Sequence, residues 1–218
     1  MPAEIEAICD EAAARGLKVA AHAHSHRGIT LAILNGVKDI QHISFMDERL
    51  VEEAHKHGCI VTPTSWILHA VRDSGVLSPS AEERVKLILD AHTKAVTFAA
   101  RGGLRMLAGT DPVVAGMHGR NYRELVYLIQ DGVSPLSAWW GMTGLAATEV
   151  DQPDSGTIIP GQRADFLVCE GDVLNDPKLF DKGALIEVFK DGVAYRGGLP
   201  QVPPRTFSTN LREALGAR

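Results

Sequence analysis

The sequence predicts an α/β fold, a parallel sheet with helical crossovers followed by a smaller β module. Three observations carry this reading. Strand-type and helix-type runs alternate four times from Leu17 onward, the pattern of successive βα units. The strand runs, such as "LKVAAHAHS" and "CIVTPTS", are short and mostly apolar, as strands covered on both faces must be. From Asp151 the pattern changes to short β-type segments separated by Gly and Pro. The expected divisions are residues 1–150, 151–198 and a Pro-rich tail, 199–218.

Each element has its own signal. Ile5, Ile8 and Ala12 at helical spacing predict a helix over 3–15, with Gly16 placed to end it. "LKVAAHAHS" is the first strand, "GITLAILNG" a short helix closed by Gly36, "VKDIQHISF" the second strand and "DERLVEEAHKHG" a helix closed by Gly58. "CIVTPTS" is the third strand. Ser80 and Glu83 have capping-box spacing and are expected to open a helix running to about Ala100. "LRMLAGTDP" is the fourth strand, and "NYRELVYLIQDG" and "PLSAWWGMTGLAATEV" are two further helices, the second begun by Ser134-Pro135. In the β module "SGTIIPGQ", "ADFLVCEG", "ALIEVFKDG" and "VAYRGG" read as strands. Four parallel strands do not close a barrel. Their edges and inward apolar side chains are therefore expected to lie open.

Composition excludes several functions. The chain has 218 residues, 45% of them hydrophobic, and a net charge of −5 with scattered Lys and Arg. That is enough to bury a core and leaves no basic footprint for nucleic acid. Cys9, Cys59 and Cys169 are far apart and form no C-x-x-C pair, which speaks against a disulfide framework or a cysteine zinc site. No apolar run reaches the roughly 20 residues of a membrane span, and the amino terminus is acidic. A soluble, cytoplasmic protein is the expectation.

Histidines and one aspartate stand where chemistry gathers in such folds. His22 and His24 are two residues apart on a strand and share a face, while His26 falls at the loop. His22, His42 and Asp111 each end a strand, the place where functional groups of parallel α/β folds collect. Two imidazoles and a carboxylate suit Zn²⁺ or another divalent ion and leave a position open for water. Asp111 could also move that water's proton. Each has a plain structural alternative: a hydrogen-bonded histidine at a strand end, or, for Thr110-Asp111-Pro112, turn or N-cap chemistry. His55, His57 and His92 lie in helical runs among polar neighbours and read as solvated, His69 is uninformative, and Trp139-Trp140 read as packing.

The segments "VAAHAHS", "IQHISF", "LAGTDP", "HGRNYRELVYLIQDGVSPLSA" and "DSGTIIPGQRADFLVCEGDVL", in this order and spacing, resemble the metal-dependent amidohydrolase superfamily from about Ala3 to Gly197. Within it they are most similar to the imidazolonepropionase-like branch that includes Xaa-Pro dipeptidases and carboxypeptidases acting on basic C-terminal residues. Imidazolonepropionases proper continue the first motif as His-Ala-Asp-Glu, whereas this chain has His22-Ala23-His24-Ser25, which favours the peptidase-like side. The resemblance implies the second half, strands five to eight, of a distorted (β/α)8 TIM-type barrel with part of a small composite β-sandwich. It implies His22, His42 and Asp111 as metal ligands, Asp111 also as general acid and base, and His24, His118 and Asn121 near the substrate. It further implies one or two Zn²⁺ or other divalent ions and hydrolysis of an amide, peptide or related C–N bond in a small molecule or dipeptide. The family's strand-one His-x-His pair and its bridging lysine have no match here. An N-terminal half-barrel partner, or self-association, is therefore expected to complete the site. The alternatives are a non-catalytic fragment and a homodimeric metal- or ligand-binding half-barrel.

Overall fold

The computed structural model describes residues 2–75 and 77–195. Three short strands, β1 (Ala20–Ala23), β2 (Asp39–His42) and β3 (Ile60–Thr62), form a parallel sheet in that order. Ala20 lies opposite Asp39, and Asp39 opposite Ile60. The expected fourth strand is reduced to a single parallel bridge from Met106 to Val61. Two hydrogen bonds hold it, Val61 N–H to Arg105 O at 3.1 Å and Leu107 N–H to Val61 O at 2.8 Å. Beyond the bridge the chain at Gly109 presses so closely on Thr62 that a Cβ there would fall 2.5 Å from the Thr62 methyl.

Helices α1 (Pro2–Ala14), α2 (His26–Leu34) and α3 (Glu48–Lys56) alternate with these strands. Ser25 Oγ accepts the Gly28 N–H at 3.1 Å and Asp47 Oδ1 the Leu50 N–H at 2.9 Å, so both later helices start on a side-chain cap. Residue 26 is thus the first residue of α2 rather than part of a loop. After β3 comes a helix the sequence reading missed, α4 (Ser65–Asp73), whose apolar Ile67, Ala70 and Val71 have helical spacing. The long helix α5 (Pro79–Arg101) begins at Ser78 with proline in its first turn, one turn-start earlier than the Ser80–Glu83 spacing suggested. Helix α6 (Arg123–Gln130) matches expectation, but the last predicted helix is two, α7 (Pro135–Met142) and α8 (Gly144–Glu149). The break falls at Thr143, with φ −125° and ψ −99°.

Strand alternation sorts the sheet into two faces. Ala21, Ala23, Ile40 and Val61 face the helices and join one core with Ile29, Ile33, Val37, Val51, Val96 and Ala99. The opposite face carries Ala20, His22, Asp39, Gln41, Ile60 and Thr62, with Thr62 Oγ1 donating to Asp39 Oδ1 at 2.7 Å. The open face is therefore mostly small or polar, not the bare apolar layer expected from the sequence. Lys18 pairs with Glu149 at 2.8 Å, and Arg105 reaches the same carboxylate at 2.7 Å.

The β module is an antiparallel sheet of β4 (Phe166–Cys169), β5 (Leu185–Lys190) and β6 (Val193–Ala194), with a 3₁₀ turn over Pro177–Lys182. "SGTIIPGQ" forms turns in place of a strand, its Gly and Pro leaving too few consecutive donors for a ladder. Asp181 ties the module to α6, accepting from Tyr122 Oη at 2.5 Å and from Arg123 at 2.8 Å. The expected tail over 199–218 lies outside the described residues. Cys9, Cys59 and Cys169 are all free thiols, and no helix of the described residues is long and apolar enough to cross a membrane.

Candidate metal centre

At one end of the sheet three imidazoles meet. His22 lies on β1, His24 just beyond it, and His42 is the last residue of β2. Plain alternation would send the His42 side chain to the Ile40 face, among the helices. Left-handed backbone at His42 (φ 73°) and Ile43 (φ 49°) breaks that alternation, and the ring centroid of His42 lies 4.3 Å from His22 and 4.6 Å from His24. His22 and His24 are 4.7 Å apart. One ligand atom from each of the three falls within 4.8 Å of the others. A β-branched residue such as Ile43 in this conformation is strained, and such strain gathers at functional sites. Thr64 (φ 55°) and Asp111 (φ 44°) repeat it after β3 and after the Met106 bridge.

Buried hydroxyls hold two of the rings. His42 Nδ1 is 2.6 Å from Thr64 Oγ1, and that hydroxyl donates its proton to Pro63 O at 2.6 Å. Thr64 must then accept from His42 Nδ1–H, which leaves the lone pair on His42 Nε2. His24 Nδ1 lies 2.8 Å from Ser44 Oγ, which is 3.2 Å from His92 Nδ1. His92 Nε2 in turn is 2.9 Å from Ser65 Oγ. The chain ends at Glu124, whose two carboxylate oxygens accept the Ser65 and Trp66 N–H groups at 2.8 and 2.7 Å, doing for α4 what a local cap does elsewhere.

Burial, reinforced by neighbouring imidazoles, keeps these rings neutral. His42 is pushed down to about 4 by desolvation and then by His24 and His22, with Asp111 opposing. His24 is lowered for the same reasons, desolvation first. His92 falls to about 3, mainly through burial. Glu124 rises to about 8, burial outweighing its two N–H partners.

The structure places the predicted residues as follows. His22, His24 and His42 come together, and His24, expected near the substrate, is nearly as close to the other two rings, at 4.7 and 4.6 Å, as they are to each other, at 4.3 Å. Asp111 is exposed and outside that group of three, yet near enough for its charge to act on both His24 and His42. His118 is exposed in the loop between Gly116 and Gly119. Asn121 lines a different cleft of about 540 Å³ with Arg120, Tyr122, Trp139, Phe180 and Asp181. His92 is not solvated as its polar neighbours suggested but 1% exposed, the polar face of α5 being turned inward onto Ser44 and Ser65. His69 stacks on Tyr127 at 3.8 Å. Trp139 donates to Leu174 O at 3.2 Å and packs on the core. Ser44, Thr64, Ser65 and Glu124 were missed, though a glutamate inside the apolar run "RELVYLI" is a readable anomaly.

Three converging imidazoles, one with its Nε2 lone pair fixed, are a donor set that fits Zn²⁺ or a similar divalent ion. Known proteins follow the same chain path. Ochratoxinase of Aspergillus niger is 30% identical over 203 residues, covering 90% of this chain and 42% of that protein. Its crystal structure superimposes with a TM-score of 0.79 at 29% identity, over 94% of this chain and 47% of that one. A Xaa-Pro dipeptidase with bound methionine gives 0.79 at 26% identity, over 90% and 49%. A prolidase complexed with N-methylphosphonate-L-proline gives 0.78 at 27%, over 91% and 50%. The chain thus spans about half the length of the relatives it matches. The profile of the Amidohydrolase family, whose members are generally metal-dependent hydrolases, matches residues 1–194, and the chain belongs to that family.

Proposed function

We propose that this chain carries the second half of a metal-dependent amidohydrolase that cleaves an amide or peptide bond in a small molecule or dipeptide. The observation that carries the reading is the meeting of His22, His24 and His42 within 4.8 Å at the ends of parallel strands. The similarity to ochratoxinase and to a Xaa-Pro dipeptidase supports the bond class. The ion, Zn²⁺ or another divalent cation, would be held by His22 and His42, with His24 or Asp111 completing the set. When bound it supplies Lewis acidity, polarising the scissile carbonyl and making water a nucleophile near neutral pH.

The chain's own groups do the rest. Asp111, exposed and near enough for its charge to act on His24 and His42, accepts a proton from the attacking water and returns it to the leaving nitrogen. His24 orients the carbonyl, and His118 and Asn121 bind more distant parts of the substrate. The remaining strands of the barrel come from residues outside this sequence, on the same polypeptide or on another, or from a second copy. Metal analysis of the purified protein, together with its native mass, tests the reading. One or two bound ions in an assembly larger than one chain support it. A metal-free protein that takes up no Zn²⁺, Mn²⁺ or Co²⁺ removes it.

A further inference from the structure

We propose that His92 is a positioning residue that dictates, through Ser44, which nitrogen of His24 carries the proton. Ser44 Oγ stands between the two rings, 2.8 Å from His24 Nδ1 and 3.2 Å from His92 Nδ1. It has one proton to give. If His92 Nδ1 is bare, Ser44 donates to it and accepts from His24 Nδ1–H, so that His24 Nε2 offers a lone pair. If His92 carries its proton on Nδ1, Ser44 donates to His24 Nδ1 and His24 offers an Nε2–H. The first arrangement makes His24 an electron-pair donor to a cation, and the second makes it a hydrogen-bond donor to a carbonyl.

The far end of the chain is locked in the core. His92 is 1% exposed, Ser44, Ser65 and Glu124 are 0%, and each hydroxyl or ring nitrogen between them has a partner within 3.2 Å. A fully satisfied buried network of this kind is rigid, and losing one member strands the others. Glu124 anchors Ser65 by its amide, so the ring of His92 is fixed from the side away from the site. Apolar residues line the rest of α5's buried face, at Leu89, Ala95, Val96 and Ala99. His92 is the polar exception, and it sits at the turn that faces Ser44.

The use of this device rests on the proposed hydrolase, but its test does not. Long-range ¹H–¹⁵N spectra of the metal-free protein report the tautomer of His24. The wild type should show one dominant tautomer. His92→Leu should show a mixture, with Zn²⁺ affinity lowered about ten- to a hundredfold. Asparagine places a polar atom where His Nδ1 stands and glutamine where Nε2 stands, so His92→Asn should restore the single tautomer while His92→Gln should not. That pair decides the matter even if His92→Leu does not fold. Unchanged His24 shifts in His92→Leu, or identical shifts in the Asn and Gln variants, overturn the proposal. A wild type that shows the tautomer control yet binds no Zn²⁺ supports it while defeating the metal reading.

Discussion

Thr64 Oγ1 stands 2.6 Å from His42 Nδ1, and its left-handed backbone is what brings it there. The hydroxyl fixes both the tautomer and the plane of the ring. Thr64→Val keeps the shape and the β-branch but removes the acceptor. The expected result is a protein that folds but binds Zn²⁺ about ten- to a hundredfold more weakly, read by competition with a chromogenic chelator. Unaltered affinity would mean that packing alone orients His42.

Asp111→Asn separates charge from shape. In the assembled enzyme the change is expected to lower kcat on the order of a hundredfold or more with little change in KM, because asparagine can neither take the water's proton nor return it. Near-normal turnover would remove Asp111 from the proton-transfer role.

The sheet order was legible because short apolar runs alternate with amphipathic ones, and the left-handed Gly16, Gly36 and Gly58 closed the intervening helices as read. His22 and His24 were legible from a period of two. What the sequence concealed depends on backbone that breaks periodicity. His42 reaches its partners only through positive φ at two non-glycine residues, a feature that no local pattern announces. His92 was misread because its helix looks polar there, and only the tertiary neighbours Ser44 and Ser65 show that this polarity points inward. Helix α4 was missed because its N-terminus is capped by Glu124, 59 residues away in sequence, with no side-chain cap of its own at Thr64.

Stability of the metal-free protein should peak near pH 6.5. His42, His69 and His92 have folded values of about 4, 4 and 3 against an ordinary 6.5. As pH falls below 6.5 the unfolded chain takes up these protons first, and stability drops. Asp131 and Glu124 act in the opposite sense, with folded values of about 6 and 8 against 3.8 and 4.5. Their stabilising contribution is complete below the unfolded values and is lost as pH rises through 6 and 8. Between 4.5 and 6 they offset part of the histidine effect, and the acid loss levels off below about 4, where His42 and His69 take up protons in the folded protein too. Above 6.5 Glu124 acts nearly alone. Thermal melts should show a declining limb from pH 6.5 to 8 that disappears in Glu124→Gln. Persistence of that limb in the variant would assign it elsewhere.

Gly141 packs α7 directly against the segment that leads to Asp111, with Ala108 N–H donating to Gly141 O at 3.1 Å. A Cβ there would fall 2.2 Å from Met106 O, and backbone cannot swing aside as a side chain can. Gly141→Ala is expected to cost about 1–3 kcal/mol and to move Asp111 relative to the imidazoles. In the assembled enzyme activity should therefore fall even at temperatures where the fold survives. A variant that melts like the wild type and keeps full activity would show that α7 can shift without consequence.

β1 pairs only with β2 among the described strands, so its outer backbone groups are unpaired, and an unpaired edge recruits another strand. The face beside it carries His22, Asp39, Gln41 and Thr62, and burial already pushes Asp39 upward in pKa despite its hydrogen bonds to Thr62 and Gln41. Such a face does not drive indiscriminate hydrophobic collapse. It calls for a partner that satisfies polar groups as well as backbone, which narrows the match to a complementary half-barrel or a second copy placed by symmetry. The protein on its own should therefore exceed the 23.5 kDa of one chain in native mass measurements, and supplying the first-half strands of a related amidohydrolase should raise both metal loading and amide hydrolysis. Asp39→Leu should impair that assembly without unfolding the helix-facing core, since Ile40 and Val61 lie on the other side of the sheet. A monodisperse 23.5 kDa monomer that hydrolyses a dipeptide at full rate would mean that this sheet needs no completion, and the half-barrel reading would fall with it.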